Sequence, residues 1–302
     1  MKHLVQSAIM YTSRPLEFHI ICDDEAIAYL DSRLRLLTHP VHPITVRLYR
    51  ITFESMVDRI AREGSLNTGH AAGVRKLPNL TFRVYVANQV IDLGGLMKLF
   101  LHEVLPDKVE KAIYVDTDAF FLSDPALLWE EFSRWGPNIA VSIPYHPNLV
   151  NPEWYNASEI CSCIMLFHLD RLRSVRLMDS SIYRADRSGL YPPALAPPTF
   201  TALFGPPGPH GYHHVALGDQ SYWWAIVSRR RDIFRPLPYD WEVTSCLLDM
   251  YSTSLGADDI SEDEEKRAMV HLDDTPYEGT IVVPKLVHLY VILHSCVMPY
   301  KG

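Results

Sequence analysis

Apolar and polar positions along the chain follow two periods, and the stretches where each holds predict the elements. Residues 3–13 carry a short helical pattern, and Leu16–Cys22 (LEFHIIC) reads as a strand followed by Asp23-Asp24. Over Asp24–Leu37 the apolar residues Ile27, Leu30, Leu34 and Leu37 recur every three or four positions, the period of one helix face. Ile44–Arg50 (ITVRLYR) alternates residue by residue and predicts a second strand. Leu93–Val104 reads as an amphipathic helix stopped at Leu105-Pro106, because a proline pushes the residue before it out of the α region. Ala112–Val115, Ile139–Ile143 and Ile164–Leu169 are short, almost purely apolar runs and predict buried strands. Strands alternating with helices predict an α/β sheet with helices on its faces. Residues 185–215 contain Pro192-Pro193, Pro197-Pro198, Pro206-Pro207 and Pro209 with glycines between them, and predict an irregular loop of the length that is usually functional or disordered. Residues 257–265 (ADDISEDEE) predict a solvated acidic run, without the glycine-punctuated pattern of a calcium loop.

Composition narrows the class. At roughly 150 residues per domain, 302 residues make one or two domains, and one α/β domain of this length buries a large core. With 48% hydrophobic and 21% charged residues, the chain is neither disordered, collagenous nor a coiled coil. A net charge of −8 provides no general field for nucleic acid, so no nucleic-acid partner is expected. No run of about 20 apolar residues occurs, and no basic–apolar–small signal pattern opens the chain. The five cysteines (Cys22, Cys161, Cys163, Cys246, Cys296) are too scattered for a disulfide scaffold, and Cys161-Ser162-Cys163 lacks the C-x-x-C spacing of zinc or thioredoxin sites. Buried thiols are the default expectation, with one or two disulfides open. Asn79-Leu80-Thr81 and Asn156-Ala157-Ser158 match the glycosylation triplet and lean slightly toward a secretory compartment.

The sharpest chemical signal is Ile113-Tyr114-Val115-Asp116-Thr117-Asp118, an apolar strand running into two carboxylates one residue apart. Ligands of open α/β sheets bind beyond the carboxyl ends of strands. Carboxylates placed there hold a hard divalent cation, and such a cation bridging a diphosphate neutralises charge on the leaving group. The plainer reading is a D-x-D that caps a turn.

Context favours the first reading. Lys98–Pro125 (KLFLHEVLPDKVEKAIYVDTDAFFLSDP) resembles glycosyltransferase family 8, and within it the glucoside and xyloside xylosyltransferase branch. Further segments agree in order: Ser7–Asp24 with the family's helix and second strand, Ser158–Leu169 (SEICSCIMLFHL) with its N-S-G-V-M-L-M-N segment, and Leu217–Gln220 with its G-D-Q. Pro236–Val243 (PLPYDWEV) is similar to its L-P-C-x-W-N segment, and Lys285–Leu289 (KLVHL) to its late histidine strand. The resemblance implies a GT-A fold, a Rossmann-like mixed sheet flanked by helices, as one catalytic domain over residues 1–302. It implies retaining transfer of a sugar, xylose in this branch, from a UDP-sugar to a glycan or glycoprotein acceptor with manganese (Mn2+). It also implies the lumen of the secretory pathway, Golgi or ER.

Residue by residue, Asp116, Asp118 and His288 take the positions of the metal ligands, and Thr117 that of the ribose contact. An imidazole with two carboxylates suits manganese. Lys98 aligns with a basic residue that holds diphosphate or carboxylates, Cys161 and Ser162 with the donor-sugar segment, and Asp219 and Gln220 with residues beside the transferred sugar. Trp241 holds the family's tryptophan and is the candidate acceptor platform. Each has a plainer reading: His288 as a core histidine, with His294 its competitor, Lys98 as a solvent-facing helix lysine, Asp219 as a helix N-cap, and Trp223, Trp224 and Tyr239 mostly as core aromatics.

The sequence also departs from the family. Cys161-Ser162-Cys163 stands for Asn-Ser-Gly, replacing an amide with a thiol and a glycine with a side chain. No lysine follows His288 at the family's offset, and Lys285 and Lys301 are poor substitutes. The family's first strand and N-terminal anchor have no counterpart, so Met1 is expected not to be the natural start, with any membrane attachment through an anchor outside this chain. Two alternatives stay open: a non-catalytic relative that binds carbohydrate or a partner, and a member using UDP-glucose or UDP-galactose. A two-metal phosphatase would need several Asp/His motifs that the chain lacks.

Overall fold

A computed structural model of the chain describes residues 2–61, 75–77, 80–86, 89–117, 119–145, 156–178, 194–195, 197–208, 212, 215, 218–238, 241, 243–246 and 285–290. The chain divides into two compact units, one of residues 15–114 and 132–236, the other of residues 1–14, 115–131 and 237–302.

The larger unit begins with strands β1 (Leu16–Cys22) and β2 (Ile44–Arg50), where the alternation predicts them. They pair in parallel, Leu16 opposite Ile44 through Cys22 opposite Arg50. A parallel pair needs a crossover, and helix α2 (Asp24–Leu34) makes it. Asp23 caps α2, its carboxylate accepting from the Ala26 N–H at 2.8 Å. The helix stops three residues short of the predicted Leu37. Its end tightens into i→i+3 bonds, Leu36 N–H to the Arg33 carbonyl and Leu37 N–H to the Leu34 carbonyl, and Leu36 and Leu37 are exposed.

Helix α3 (Phe53–Ala61) and an antiparallel ribbon of β3 (Arg75–Leu77), β4 (Leu80–Val86) and β5 (Gln89–Asp92) follow. The segment expected as one amphipathic helix over Leu93–Val104 is instead α4 (Leu93–Leu96), a 3-10 turn over Met97–Phe100 and α5 (Leu101–Val104). Phe100, at φ −121° and ψ 17°, leaves the helical region and breaks the run. Every residue from Leu96 to His102 is buried, Lys98 and His102 included, so no face of this segment is polar.

A four-stranded sheet carries the core in the order β10-β8-β9-β6, with β6 (Lys111–Val115), β8 (Val141–Pro144), β9 (Ile164–His168) and β10 (Phe234–Leu237). Ile164, Met165, Leu166 and Phe167 are each 0% exposed, as expected of a strand covered on both faces. Helix α7 (Leu169–Val175) starts directly after β9, and α9 (Asp219–Arg229) brings Trp223 to within 5.5 Å of the Phe167 ring. Trp223 and Trp224 are core residues. Part of the segment expected to be irregular is folded: α8 (Pro197–Phe204) opens with its two prolines, which tolerate the first helical turn because its N–H groups have no intrahelical partner. Phe200 anchors it with its ring centroid 5.0 Å from that of Tyr222.

In the smaller unit, α1 (Lys2–Tyr11) meets β7 (Ala119–Phe121), where the Ser7 hydroxyl accepts from the Phe121 N–H at 2.9 Å. Helix α6 (Pro125–Glu130) is capped by Asp124, whose carboxylate also accepts from the Ser13 N–H. A sheet runs β11-β12-β7, with β11 (Val243–Cys246) parallel and β7 antiparallel to β12 (Leu286–Tyr290). No described helix is long and apolar enough to cross a membrane. The acidic run 257–265, Asn79, Tyr239, Cys296, His294 and Lys301 lie outside the described residues.

Two outcomes follow from this core. Phe167→Ala, at a site with no exposure, is expected to cost about 3–5 kcal/mol in a urea titration; a loss under about 1 kcal/mol contradicts the packing. The Nδ1 of His168 caps α7 by accepting from the Arg171 N–H at 3.2 Å, which requires a neutral ring. Burial holds this imidazole below its ordinary 6.5, with the Lys111 charge adding to the effect. The unfolded chain therefore binds the proton more readily, so the contribution of His168 is fully present above pH 6.5 and fades as pH falls below it. His168→Asn, which keeps a cap, is expected to flatten this dependence in melts from pH 7.5 to 5.

Candidate functional site

The larger unit gathers a polar cluster inside its apolar interior. The 3-10 turn over Met97–Phe100 turns Lys98 inward, where its side chain is 6% exposed. The solvent-facing reading of this lysine is thereby overturned. Its ammonium donates to the Ser162 carbonyl at 3.1 Å, lies 3.5 Å from Oδ2 of Asp219, and sits 4.8 Å from the centroid of the Tyr114 ring. A buried ammonium needs such a set, since desolvation is offset only by opposite charge and strong acceptors.

Asp219 is the first residue of α9 rather than its cap; Gly218 is the cap, at φ +53°. A Cβ built on Gly218 meets nothing within 4 Å, so glycine supplies the conformation there and not the room. The helix N-terminus favours the carboxylate that this turn delivers. Next to it, Gln220 is held at both ends of its amide. Nε2 donates to the Ala157 carbonyl at 2.8 Å, and Oε1 accepts from the Ser162 N–H at 3.4 Å. The two backbone polar groups of Ser162 are thus held separately, its carbonyl by Lys98 and its N–H by Gln220. Ser162 lies between Cys161 and Cys163, which form a disulfide with Cα atoms 5.4 Å apart. This corrects the expectation of free thiols for that pair; Cys22 is the buried free thiol among the described residues.

The remaining predicted site residues belong to the smaller unit. Asp116 is half-buried and Thr117 exposed in the turn after β6, closed by the Ala119 N–H donating to the Asp116 carbonyl at 3.1 Å. Asp118 lies outside the described residues. His288 is described by its backbone: it pairs with Ala119, the residue following Asp118. Strand register thus brings the late histidine beside the D-x-D, across about 170 residues of sequence. By residue type, two carboxylates and an imidazole are a donor set that fits a hard or borderline divalent cation. Among the described residues, no three His, Cys, Asp or Glu side chains form a metal-holding group. Trp241 is 1% exposed, with the Lys285 ammonium 4.9 Å from its ring centroid. A cation therefore lies over its ring, and among the described residues its buried indole N–H has no hydrogen-bond partner.

Sequence reasoning named Lys98, Ser162, Asp219 and Gln220, and the structure brings these four together. It missed Tyr114 and Ala157, and it left a disulfide open without assigning the pair. Tyr114 stands two residues before Asp116 in the strand already singled out; Ala157 acts through its backbone carbonyl, which leaves no trace in residue type.

No family model matches the chain. Xylosyl- and glucuronyltransferase LARGE2 of Rattus norvegicus is 24% identical over 254 residues, 80% of this chain and 29% of that protein. Glucoside xylosyltransferase 2 of Mus musculus is 25% identical over 189 residues, 59% of this chain and 36% of that protein. The crystal structure of mouse xyloside xylosyltransferase 1 in its apo form superposes with a TM-score of 0.59 at 15% identity, covering 95% of this chain and 90% of that one. The chain thus spans about a third or less of these two curated relatives' lengths. The fold is that of a glycosyltransferase, a GT-A mixed α/β fold.

Removing one member of the Lys98–Asp219 pair strands the other. Lys98→Met is expected to cost about 3–5 kcal/mol in urea unfolding, while Lys98→Met with Asp219→Asn costs clearly less than the sum of the two single variants. Strict additivity would contradict the pairing.

Proposed function

We propose that this chain is a retaining glycosyltransferase of family 8, moving a sugar, xylose in the first instance, from a UDP-sugar to a glycan or glycoprotein acceptor. The observation that carries the reading is the meeting of Lys98, Ser162, Asp219 and Gln220. Each was singled out by resemblance alone, from three separate segments, and they converge on one buried peptide. Convergence of that kind has no reason to occur if the aligned segments are unrelated to a common site.

In this reading Gln220 and the Ser162 peptide orient the donor sugar, and Asp219 receives its hydroxyls. The Lys98 ammonium fixes the direction of the Asp219 carboxylate. Asp219 is engaged by that ammonium, which suits it to orienting a sugar rather than attacking one. Retention then proceeds without a protein nucleophile, the acceptor hydroxyl entering on the face from which the phosphate leaves. Asp116, Asp118 and His288 are the residues that would hold manganese, which when bound would neutralise charge on the departing diphosphate. Thr117 is assigned to the ribose and Trp241 to the acceptor. The Cys161–Cys163 disulfide supports a secretory-pathway compartment, since disulfides persist where the medium is oxidising.

One observation favours a second reading, a non-catalytic relative: Cys161 stands where the family has a donor-binding asparagine. The two separate in one set of assays. Incubation with UDP-xylose, UDP-glucose or UDP-galactose and manganese is expected to release UDP, most with UDP-xylose, and Asp118→Ala is expected to abolish it. Undiminished turnover in excess chelator would overturn the mechanism. Absence of manganese-dependent UDP binding by calorimetry would favour the non-catalytic reading.

A further inference from the structure

We propose that the Cys161–Cys163 disulfide is a positioning element for the donor sugar, and that its reduction by a dithiol releases the Ser162 peptide and weakens donor binding. The proposal rests on the donor-site reading above and adds to it a role for the two cysteines at which the sequence leaves the family.

The bond closes a loop around a single residue. Stabilisation through the unfolded chain grows with the logarithm of loop length, so a loop this short contributes little to global stability. Its effect is local, and the enclosed residue has both backbone groups committed. The Ser162 carbonyl accepts from the Lys98 ammonium at 3.1 Å, and its N–H donates to Gln220 Oε1 at 3.4 Å. Ser162 is 4% exposed, so a rotation of its peptide leaves those partners facing a dry interior.

The flanks are fixed independently of the bond. On one side the Cys161 N–H donates to the Pro144 carbonyl at 3.3 Å, and Ile160 bridges to Tyr145. On the other, β9 starts at Ile164 in the fully buried core. Breaking the bond therefore loosens Ser162 and Cys163 without unpicking the sheet. A family Asn-Ser-Gly offers a side-chain amide at this place; here two sulfurs constrain the backbone in its stead.

Access and chemistry are compatible. Cys161 is half-buried while Cys163 is buried, so of the two Cys161 is the cysteine more open to an incoming thiolate. Attack there breaks the S–S bond, forms a mixed disulfide and expels the Cys163 thiolate, which takes up a proton. The second thiol of the dithiol then displaces Cys161. Two electrons and two protons pass from the dithiol, which leaves as a disulfide, to the two cysteines.

The test compares the full chain, oxidised and after dithiothreitol, with Cys161→Ser/Cys163→Ser as a reductant-insensitive form. Peptide mapping under non-reducing conditions is expected to recover the 161–163 bond; free thiols there would overturn the proposal. Hydrogen exchange at the Ser162 amide is expected to accelerate by up to about tenfold on reduction, with the Ile164–His168 amides unchanged, as loss of its hydrogen bond to the neutral Gln220 Oε1 implies. Equal exchange in both forms would overturn it, whatever the binding data show. UDP-xylose affinity is expected to fall about tenfold on reduction and in the double variant, with UDP affinity unchanged. Equal UDP-xylose affinity in both forms would also overturn it. Should the oxidised protein bind no UDP-sugar while the exchange contrast persists, the positioning of Ser162 stands and the donor-site reading fails.

Discussion

The buried ammonium of Lys98 is the constraint around which the larger unit's polar interior is built. A charge taken out of water at 6% exposure must be met by charge and by oriented acceptors, or the segment carrying it will not stay inside. Three elements deliver those partners: α9 brings Asp219 through its N-terminal turn, the segment before β9 brings the Ser162 carbonyl, and β6 brings the Tyr114 ring. Local features that look arbitrary follow from this. The 3-10 break over Met97–Phe100 aims Lys98 inward, and the positive φ of Gly218 starts α9 where its first carboxylate meets the ammonium. Gln220 then completes the cluster by tying the same Ser162 peptide to Ala157.

Apolar packing holds the cluster still. β8 is buried along its length and β9 from Ile164 to Phe167, and α9 lays Trp223 against Phe167, so the residues flanking Ser162 and Asp219 are packed against the core. Preorganisation of this kind is what the proposed sugar-orienting role would require: polar groups held in place by packed side chains. In the smaller unit a different device serves the D-x-D. Antiparallel register sets His288 opposite Ala119, bringing together strands about 170 residues apart in the sequence.

Local periodicity was enough to read part of this fold. β1 and β2 appear at the residues where alternation predicts them, and the apolar runs at Ile139–Ile143 and Ile164–Leu169 become the central strands β8 and β9, while Ala112–Val115, expected to be buried, becomes the partly buried β6 at the end of the strand order. Leu80–Val86 (LTFRVYV) alternates as clearly and was legible in principle. What the sequence hid was decided by tertiary contact. Nothing in the spacing of Leu93–Val104 announces that Lys98 turns inward, because its partners lie 64 and 121 positions downstream. The helix at Pro197–Phe204 was masked by its own prolines, which read as breakers until Phe200 is seen packed on Tyr222. The candidate site was legible only through resemblance, since lysine, aspartate and glutamine in isolation have commoner surface roles.

The central claim is that the Lys98–Asp219–Ser162–Gln220 cluster is where the donor's sugar is held. NMR of the Lys98 Nζ and the Gln220 side-chain amide, titrated with UDP-xylose and separately with UDP, tests it directly, with magnesium replacing paramagnetic manganese. The account predicts that both resonances shift on saturation with UDP-xylose and far less with UDP. Resonances that stay in place at saturating UDP-xylose, while signals elsewhere in the protein respond, would contradict it.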